Sequence, residues 1–141
     1  MLFRSVRTGA VTLGTDLKGE VVGPPVMGPN GRMALVFSRW NQPNELWTTT
    51  GTLAQPVRAT DINAAATACT FGATRTVQWK SRDGQVIEGV LVRPAAAAAT
   101  SALKTLVLLH GGPYQARYGI GFNPMAQFMA ARGYQIGRAH V

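Results

Sequence analysis

The segment Thr105–Pro113, TLVLLHGGP, carries the clearest chemical signal in the chain. A short apolar run leads into a His-Gly-Gly turn that stands in front of a helix signal. Glycines have no Cβ, so the backbone can turn sharply there and approach a substrate, which leaves a peptide N–H free to donate a hydrogen bond. The pattern predicts part of an oxyanion-binding site for acyl transfer. The alternative is a tight strand-to-helix turn with no catalytic role.

The elements on either side of this turn indicate half of a doubly wound sheet. The unbroken apolar run Leu106–Leu109 is typical of a strand buried on both faces, as in a parallel sheet. Asn123 and Pro124 predict a helix start, with Asn as N-cap and Pro at the first helical position. Gly133 predicts the helix end, and Tyr134 opens the next expected strand. One apolar stripe is expected on this helix: Met125, Phe128 and Met129.

The first part of the chain has the pattern of short strands joined by turns. Gly28–Gly31 is a hairpin signal, and Met33–Ser38 is the right length for a buried strand. A polar break at Asn41–Asn44 is expected before a second strand, Glu45–Thr49. Such a meander fits a sandwich, a barrel or one propeller blade, and the pattern alone does not separate the three.

A second hairpin is predicted further along the chain. Thr76–Lys80 and Val86–Val92 alternate apolar and polar residues, and Asp83-Gly84 turns the chain between them. The tract Pro94–Ala102, PAAAAATSA, is of low complexity and is expected to be an exposed connection.

The order of these pieces resembles the prolyl oligopeptidase family of serine peptidases, in particular its dipeptidyl-peptidase and acylaminoacyl-peptidase branches. Three segments carry the resemblance to the start of the family's catalytic domain: SRDGQVIEGVLVRP at Ser81–Pro94, LLHGGPY at Leu108–Tyr114 and MAARGYQ at Met129–Gln135. Upstream, Gly28–Thr50 is similar to the last blade of the family's β-propeller. The expected fold is therefore a propeller-blade fragment followed by the N-terminal part of an α/β-hydrolase domain.

The resemblance implies roles for the residues of the turn. The backbone N–H of Gly112 would donate to the oxyanion, and Gly111 would shape the turn. In the family the Ser, Asp and His of the triad all come later in the chain, so His110 is expected to orient the loop and not to act as the base. Tyr114 and Tyr118 either line a substrate pocket or pack at a domain interface. The expected partner is a peptide substrate, with no cofactor and no metal.

The sequence also departs from the family pattern. It contains no Gly-x-Ser-x-Gly, and its only other histidine is His140, so the chain as given is expected to be inactive. The residues Ile136–Val141, IGRAHV, are the translation of ATC GGA AGA GCA CAC GTC. This DNA sequence, followed by the stop TGA, looks like a common sequencing adapter. We therefore interpret residues 1–70 as propeller, 71–135 as the start of the catalytic domain and 136–141 as a non-native tail.

Composition and charge exclude few function classes. The net charge of +8 comes from 14 Lys and Arg against 6 Asp and Glu, but the basic residues are scattered singly, so no nucleic-acid partner is expected. The single Cys69 excludes an intrachain disulfide, and no apolar run is long enough to span a membrane. Two alternatives stay open: an esterase or lipase-like hydrolase, and a non-catalytic β-rich binding module. Oligomeric state and localisation are not predicted.

Overall fold

In the computed structural model, the described residues form two antiparallel sheets, one mixed sheet and one α-helix. The described residues are 2–4, 7–13, 17, 19–50, 55–109 and 120–140. Near the start of the chain, β1 (Leu2–Arg4) and β2 (Val11–Leu13) form an antiparallel pair. No helix in the described ranges is long and apolar enough to cross a membrane.

The first sheet is an antiparallel meander of four strands in chain order. Its strands are β3 (Glu20–Met27), β4 (Met33–Arg39), β5 (Gln42–Thr49) and β6 (Val57–Arg58). A 3-10 helix, Pro29–Gly31, closes the first hairpin, and the Gly28 amide donates to the Arg32 carbonyl at 2.8 Å. These bounds confirm the turn and the buried strand that the sequence predicted for this region.

Alternate residues of β4 form the core of the first sheet. Met33, Leu35 and Phe37 are buried, as expected for a strand whose side chains alternate between two faces. The Phe37 and Trp47 rings pack edge to face with centroids 5.4 Å apart. The Arg39 guanidinium lies over both rings, 5.5 Å and 5.4 Å from their centroids. Cation–π contacts and aromatic packing thus hold β4 to β5.

The polar break predicted at Asn41–Asn44 is wrong, because β5 already begins at Gln42. The register between β4 and β5 jumps from Phe37↔Glu45 to Arg39↔Gln42, so Pro43 and Asn44 lie opposite a single residue of β4. Proline, which has no N–H for the ladder, is tolerated at such a bulge. On the other side of β5, β6 pairs only with Trp47 and Thr48, so it does not reach Pro43.

A buried carboxylate fixes the connection between the first and second sheets. Glu45 accepts hydrogen bonds from the Thr60 hydroxyl at 2.5 Å and from the amides of Ile62 and Asn63 at 3.1 Å and 2.8 Å. These bonds, led by that from Thr60, lower the pKa of Glu45 to about 2 in spite of the opposing effect of burial. The connection then forms a 3-10 helix, Ala64–Ala68, which the sequence did not predict.

The second sheet is mixed and has the spatial order β7-β8-β10-β9. Its strands are β7 (Ala73–Lys80), β8 (Val86–Arg93), β9 (Thr105–Val107) and β10 (Gln135–His140). β8 runs antiparallel to β7 and β10, whereas β9 and β10 are parallel and are connected through α1 (Pro124–Ala131). The β7–β8 hairpin confirms the sequence prediction, and its turn places Gly84 at a φ of +83°.

The alanine-rich tract that follows β8 contains no helix or strand, as predicted. Arg93 holds it in place, because one of its guanidinium nitrogens donates to the carbonyls of Ala98 and Ser101 at 2.9 Å and 3.2 Å. A second nitrogen of the same guanidinium donates to the Gln135 side chain at 2.5 Å. The tract is therefore tied to the second sheet by one arginine.

Two predictions of burial in this half of the chain are wrong. The core between α1 and the sheet consists of Val92, Ala126, Ala130 and Ile136, and small alanines let the helix approach the strands closely. Of the predicted stripe, Met129 packs against this core, but Met125 and Phe128 are 58% and 53% exposed. The run Leu106–Leu109 is not a strand buried on both faces: β9 ends at Val107, which is 64% exposed, and among the described strands β9 pairs with β10 alone, at the edge of the sheet.

Candidate functional site

The residues that the sequence singles out for chemistry lie outside the described residues. They are His110, Gly111, Gly112, Tyr114 and Tyr118, all within the segment 110–119. Their roles therefore stay predictions. The structure does describe both ends of this segment, which we call the candidate loop, and the elements that hold those ends.

The amino end of the candidate loop leaves the second sheet at the carboxyl end of β9. The Leu108 amide donates to the Gly137 carbonyl at 2.9 Å, which continues the parallel pairing of β9 with β10. Leu109, the last described residue before the loop, is 89% exposed, so the chain has left the sheet there. In open α/β sheets, ligands bind outside the carboxyl ends of parallel strands, and the candidate loop begins at this position.

The carboxyl end of the candidate loop runs directly into the N-terminus of α1. Asn123 is extended and its side chain accepts a hydrogen bond from the Ala126 amide at 2.9 Å, and Pro124 opens the helix. This confirms the predicted N-cap, which satisfies one of the free amides of the first turn. At the other end, Gly133 has a φ of +88° and ends the helix as predicted.

Gly121 and Phe122, just before the helix, pack on the first sheet. The Phe122 amide donates to the buried Ser38 hydroxyl at 3.2 Å. A Cβ on Gly121 would lie 2.8 Å from the Ser38 oxygen and would overlap the Glu20 side chain, so only glycine fits here. The Phe122 ring meets the Phe71 ring edge to face, with centroids 5.0 Å apart. The end of the loop is therefore anchored on a different sheet from its start.

Gln127 joins the helix to both sheets and was not predicted as a site residue. Its side chain is only 6% exposed. Its Oε1 accepts from the Gly72 amide at 2.7 Å, and its Nε2 donates to the Trp40 carbonyl at 3.0 Å and to the Gly72 carbonyl at 3.3 Å. The sequence marks Gln127 only as a polar residue close to Ala126 and Ala130, the two alanines that prove to be buried on the helix. Trp40, in the turn between β4 and β5, contributes its carbonyl.

The ionisable groups of the described residues do not form a second catalytic candidate. The two carboxylates with lowered pKa values, Glu45 and Asp83, owe the shift to hydrogen bonds in loops. For Asp83 the Ser81 hydroxyl lowers the pKa most, followed by the Gln85 amide. The described part of the chain holds no cluster of three or more His, Cys, Asp or Glu residues that could bind a metal.

A cleft of about 440 Å³ lies at the far ends of β3, β4 and β5, away from the residues that hold the candidate loop. It is lined by Val26, Arg32, Thr49 and neighbouring residues, without a carboxylate, histidine or cysteine. This lining offers neither an acid–base pair nor an activated nucleophile. The location of the chemistry in the candidate loop stays a prediction from the sequence.

Comparison with known proteins finds similarity at the level of structure. No protein-family model and no curated protein matches the chain. Acylaminoacyl peptidase from Pyrococcus horikoshii superposes with a TM-score of 0.74 at 24% identity, over 94% of this chain and 20% of its own. Dipeptidyl peptidase 4 from Porphyromonas gingivalis superposes with a TM-score of 0.69 at 14% identity, over 93% of this chain and 19% of its own.

A puromycin-hydrolyzing peptidase from Mycobacterium tuberculosis is also similar, with a TM-score of 0.66 at 14% identity over 98% of this chain and 22% of its own. At these identities the similarity shows a shared fold. The chain spans about a fifth of the length of the solved proteins that it matches.

Proposed function

We propose that the chain is part of a serine peptidase of the prolyl oligopeptidase type. The observation that carries the proposal is that the β7–β8 hairpin is followed by β9, a His-Gly-Gly sequence and α1, in a chain of which 94% superposes on an acylaminoacyl peptidase. On this proposal residues 1–70 are the end of a β-propeller, and residues 71–135 are the start of an α/β-hydrolase domain.

The proposed chemistry is hydrolysis of peptides by acyl transfer. The backbone N–H of Gly112 donates to the oxyanion that forms on the scissile carbonyl, Gly111 shapes the turn and His110 orients it. Tyr114 and Tyr118 contact the substrate. The nucleophilic serine and its Asp and His partners are supplied by sequence beyond the given residues, so the fragment alone is inactive.

The proposed origin of the last residues bears on how the enzyme must be tested. We propose that Ile136–Val141 derive from a sequencing adapter, since ATC GGA AGA GCA CAC GTC TGA, which looks like adapter sequence, encodes these six residues and a stop. Sequencing the native locus from DNA prepared without that adapter tests this. If the native DNA encodes the six residues with other codons and then stops, the result contradicts both the truncation and the peptidase proposal. It then favours a complete binding module.

The function itself is tested on the full-length protein recovered from that locus. We expect release of p-nitroaniline from acyl-peptide or dipeptide anilides, and labelling of one serine by a fluorophosphonate. Cleavage of p-nitrophenyl esters without cleavage of any peptide anilide would replace the peptidase with an esterase. Neither hydrolysis nor labelling would reject an enzyme of this mechanism altogether.

A further inference from the structure

The outer edge of β7 is open in the part of the chain that the structure describes. β7 stands at the end of the strand order and pairs with β8 along its whole length without a bulge. The Ser81 amide donates to the Gln85 carbonyl at 2.9 Å, so Ser81 faces β8. In an antiparallel ladder this direction alternates from one residue to the next. Alternate residues of β7 therefore point their N–H and C=O groups toward the open edge: Thr74, Thr76, Gln78 and Lys80.

Gly72, two residues before Thr74, shows the kind of partner that these outward groups accept. Its amide donates to the Gln127 Oε1 at 2.7 Å, and its carbonyl accepts from the Gln127 Nε2 at 3.3 Å. The side-chain amide of Gln127 thus bonds both backbone groups of Gly72, as a residue of a neighbouring strand would. From Thr74 to Lys80, no other described segment bonds the outward backbone groups. The open edge therefore begins where the contact with Gln127 ends.

The other edge strands of the two larger sheets are interrupted or short. The register of β3 shifts between Val22 and Val26, with Pro24 and Pro25 inside the shift. β6 has two residues and β9 has three. Bulges, prolines and short edge strands all hinder pairing with a further strand. β7 has eight residues, no proline and no bulge, so among the described edges it is the one suited to accept another strand.

The sequence of β7 is complementary to itself in the antiparallel direction. If Val77 of one copy lies opposite Val77 of a second copy, each outward-facing residue meets another: Thr74 meets Lys80, and Thr76 meets Gln78. A shift by two residues in one direction would set Lys80 opposite Gly72, whose backbone groups are already bonded. A shift in the other direction would set Thr74 opposite Arg82, which lies in the hairpin turn. The register about Val77 is therefore the one that uses the whole edge.

The same register brings compatible side chains together. Arg75 of one copy lies opposite Trp79 of the other, and no two cations of the strands face each other. Directly opposite side chains have Cβ atoms about 4.5–5.5 Å apart, which lets a guanidinium lie over an aromatic ring. The Trp79 ring lies over Gly89, which has no side chain, and Trp79 is 44% exposed. A second copy of this strand thus matches β7 in charge as well as in hydrogen bonding.

We propose that the open edge of β7 is a homodimer interface, in which the β7 strands of two copies pair antiparallel about Val77. The second sheet of one copy then continues into the second sheet of the other. The pairing satisfies the outward backbone groups of both strands, and it places Arg75 of each copy over Trp79 of the other. The interface involves neither the candidate loop nor residues 136–141, and it does not depend on the proposed peptidase activity.

The first test measures the mass of the full-length protein by light scattering and sedimentation, and we expect a dimer at micromolar concentration. Val77→Lys sets two ammonium groups opposite each other, so the dissociation constant of the dimer should rise by about a hundredfold or more. Thr76→Pro removes one outward N–H without removing a bond to β8, and it should also give monomers. The matched control is Thr76→Ala, which keeps that N–H and should stay dimeric.

A cysteine cross-link tests the register of the pairing. Val77→Cys places the thiols of two copies opposite each other, and mild oxidation should join them in a disulfide. The matched control is Arg75→Cys on the same face of β7, whose thiol lies opposite Trp79 and should stay unlinked. The exposed Cys69 is replaced by serine in both variants. Mass spectrometry of the tryptic peptides identifies which cysteines are joined.

A full-length protein that is monomeric at every concentration overturns the interface. Slow hydrogen exchange of the Thr76 and Gln78 amides in such a monomer would show that another segment of the same chain covers the edge. A dimer that neither Val77→Lys nor Thr76→Pro weakens also overturns it, because the contact surface then lies elsewhere. Equal cross-linking of Arg75→Cys and Val77→Cys rejects the pairing about Val77. Should Thr76→Pro fail to fold, Val77→Lys and the cross-link decide, since neither alters the backbone of β7.

Discussion

The Thr60 hydroxyl donates a hydrogen bond of 2.5 Å to the Glu45 carboxylate, across 15 residues of sequence. Through this bond and those from the Ile62 and Asn63 amides, a buried strand residue determines the path of the connection between the two larger sheets. The charged carboxylate is the form that accepts these bonds. Its ionisation is therefore coupled to the structure of the connection.

Acidification should loosen this connection. The pKa of Glu45 is lowered from 4.5 to about 2, so the stabilisation is fully present above pH 4.5 and is lost as the pH falls through about 2. We expect the protection of the Ile62 and Asn63 amides against hydrogen exchange, corrected for intrinsic rates, to decrease over that interval. Glu45→Gln should show lower protection at neutral pH and no such decrease. A wild-type profile that is flat between pH 5 and pH 2 would contradict the coupling.

The hairpins could be predicted from sequence because their signals are local. Gly28–Gly31 and Asp83-Gly84 are turn residues, and the strands beside them alternate with a period of two. The break at Asn41–Asn44 was mistaken because the place of Pro43 is decided by the register with β4, and no local pattern reports a bulge of this kind.

The supports of the candidate site depend on contacts that are distant in sequence. Gln127 meets partners 55 and 87 residues away, and no periodicity within α1 indicates them. Contacts that no local pattern indicates also decide the exposed side of the helix. Phe128 was expected in a buried apolar stripe, but its side chain is exposed, and the Arg132 guanidinium lies 4.9 Å from its ring centroid. Arginine beside an aromatic ring partly shields that ring from water.

Substitution of Gly121 should disturb the contact between the candidate loop and the first sheet. In Gly121→Ala the new methyl group would overlap Glu20 and approach the Ser38 oxygen to 2.8 Å, so the helix start or β3 must shift. We expect a loss of about 1–3 kcal/mol in the free energy of unfolding, measured by urea denaturation. Gly28→Ala is the control, because a Cβ there has its nearest neighbour at 3.7 Å. Equal stability of the two variants would show that the site near Ser38 accommodates a methyl group.

Removal of the helix N-cap should lower stability without altering the core. Asn123→Ala leaves the Ala126 amide without its side-chain acceptor, which typically costs about 0.5–2 kcal/mol. Asn123→Asp keeps an acceptor at the same position and adds a charge that is favourable at a helix N-terminus. We expect urea denaturation to place Asn123→Asp near the wild type and Asn123→Ala below it. A wild-type midpoint for Asn123→Ala would argue that the cap contributes nothing.

The predicted oxyanion donor is tested by removing one backbone N–H. Gly112→Pro eliminates the donor that the sequence assigns to the turn, and the loss of one such donor typically lowers kcat by about a hundredfold to a thousandfold. The effect should fall on kcat and not on KM, since the oxyanion exists only in the transition state and the tetrahedral intermediate. Gly112→Ala retains the N–H, so it separates the loss of the donor from the loss of the glycine backbone freedom. Measured on the full-length protein with a peptide anilide, we expect Gly112→Ala to retain more activity than Gly112→Pro. Equal kcat values for Gly112→Pro and the wild type would remove Gly112 from the mechanism and leave the His-Gly-Gly segment as a simple turn.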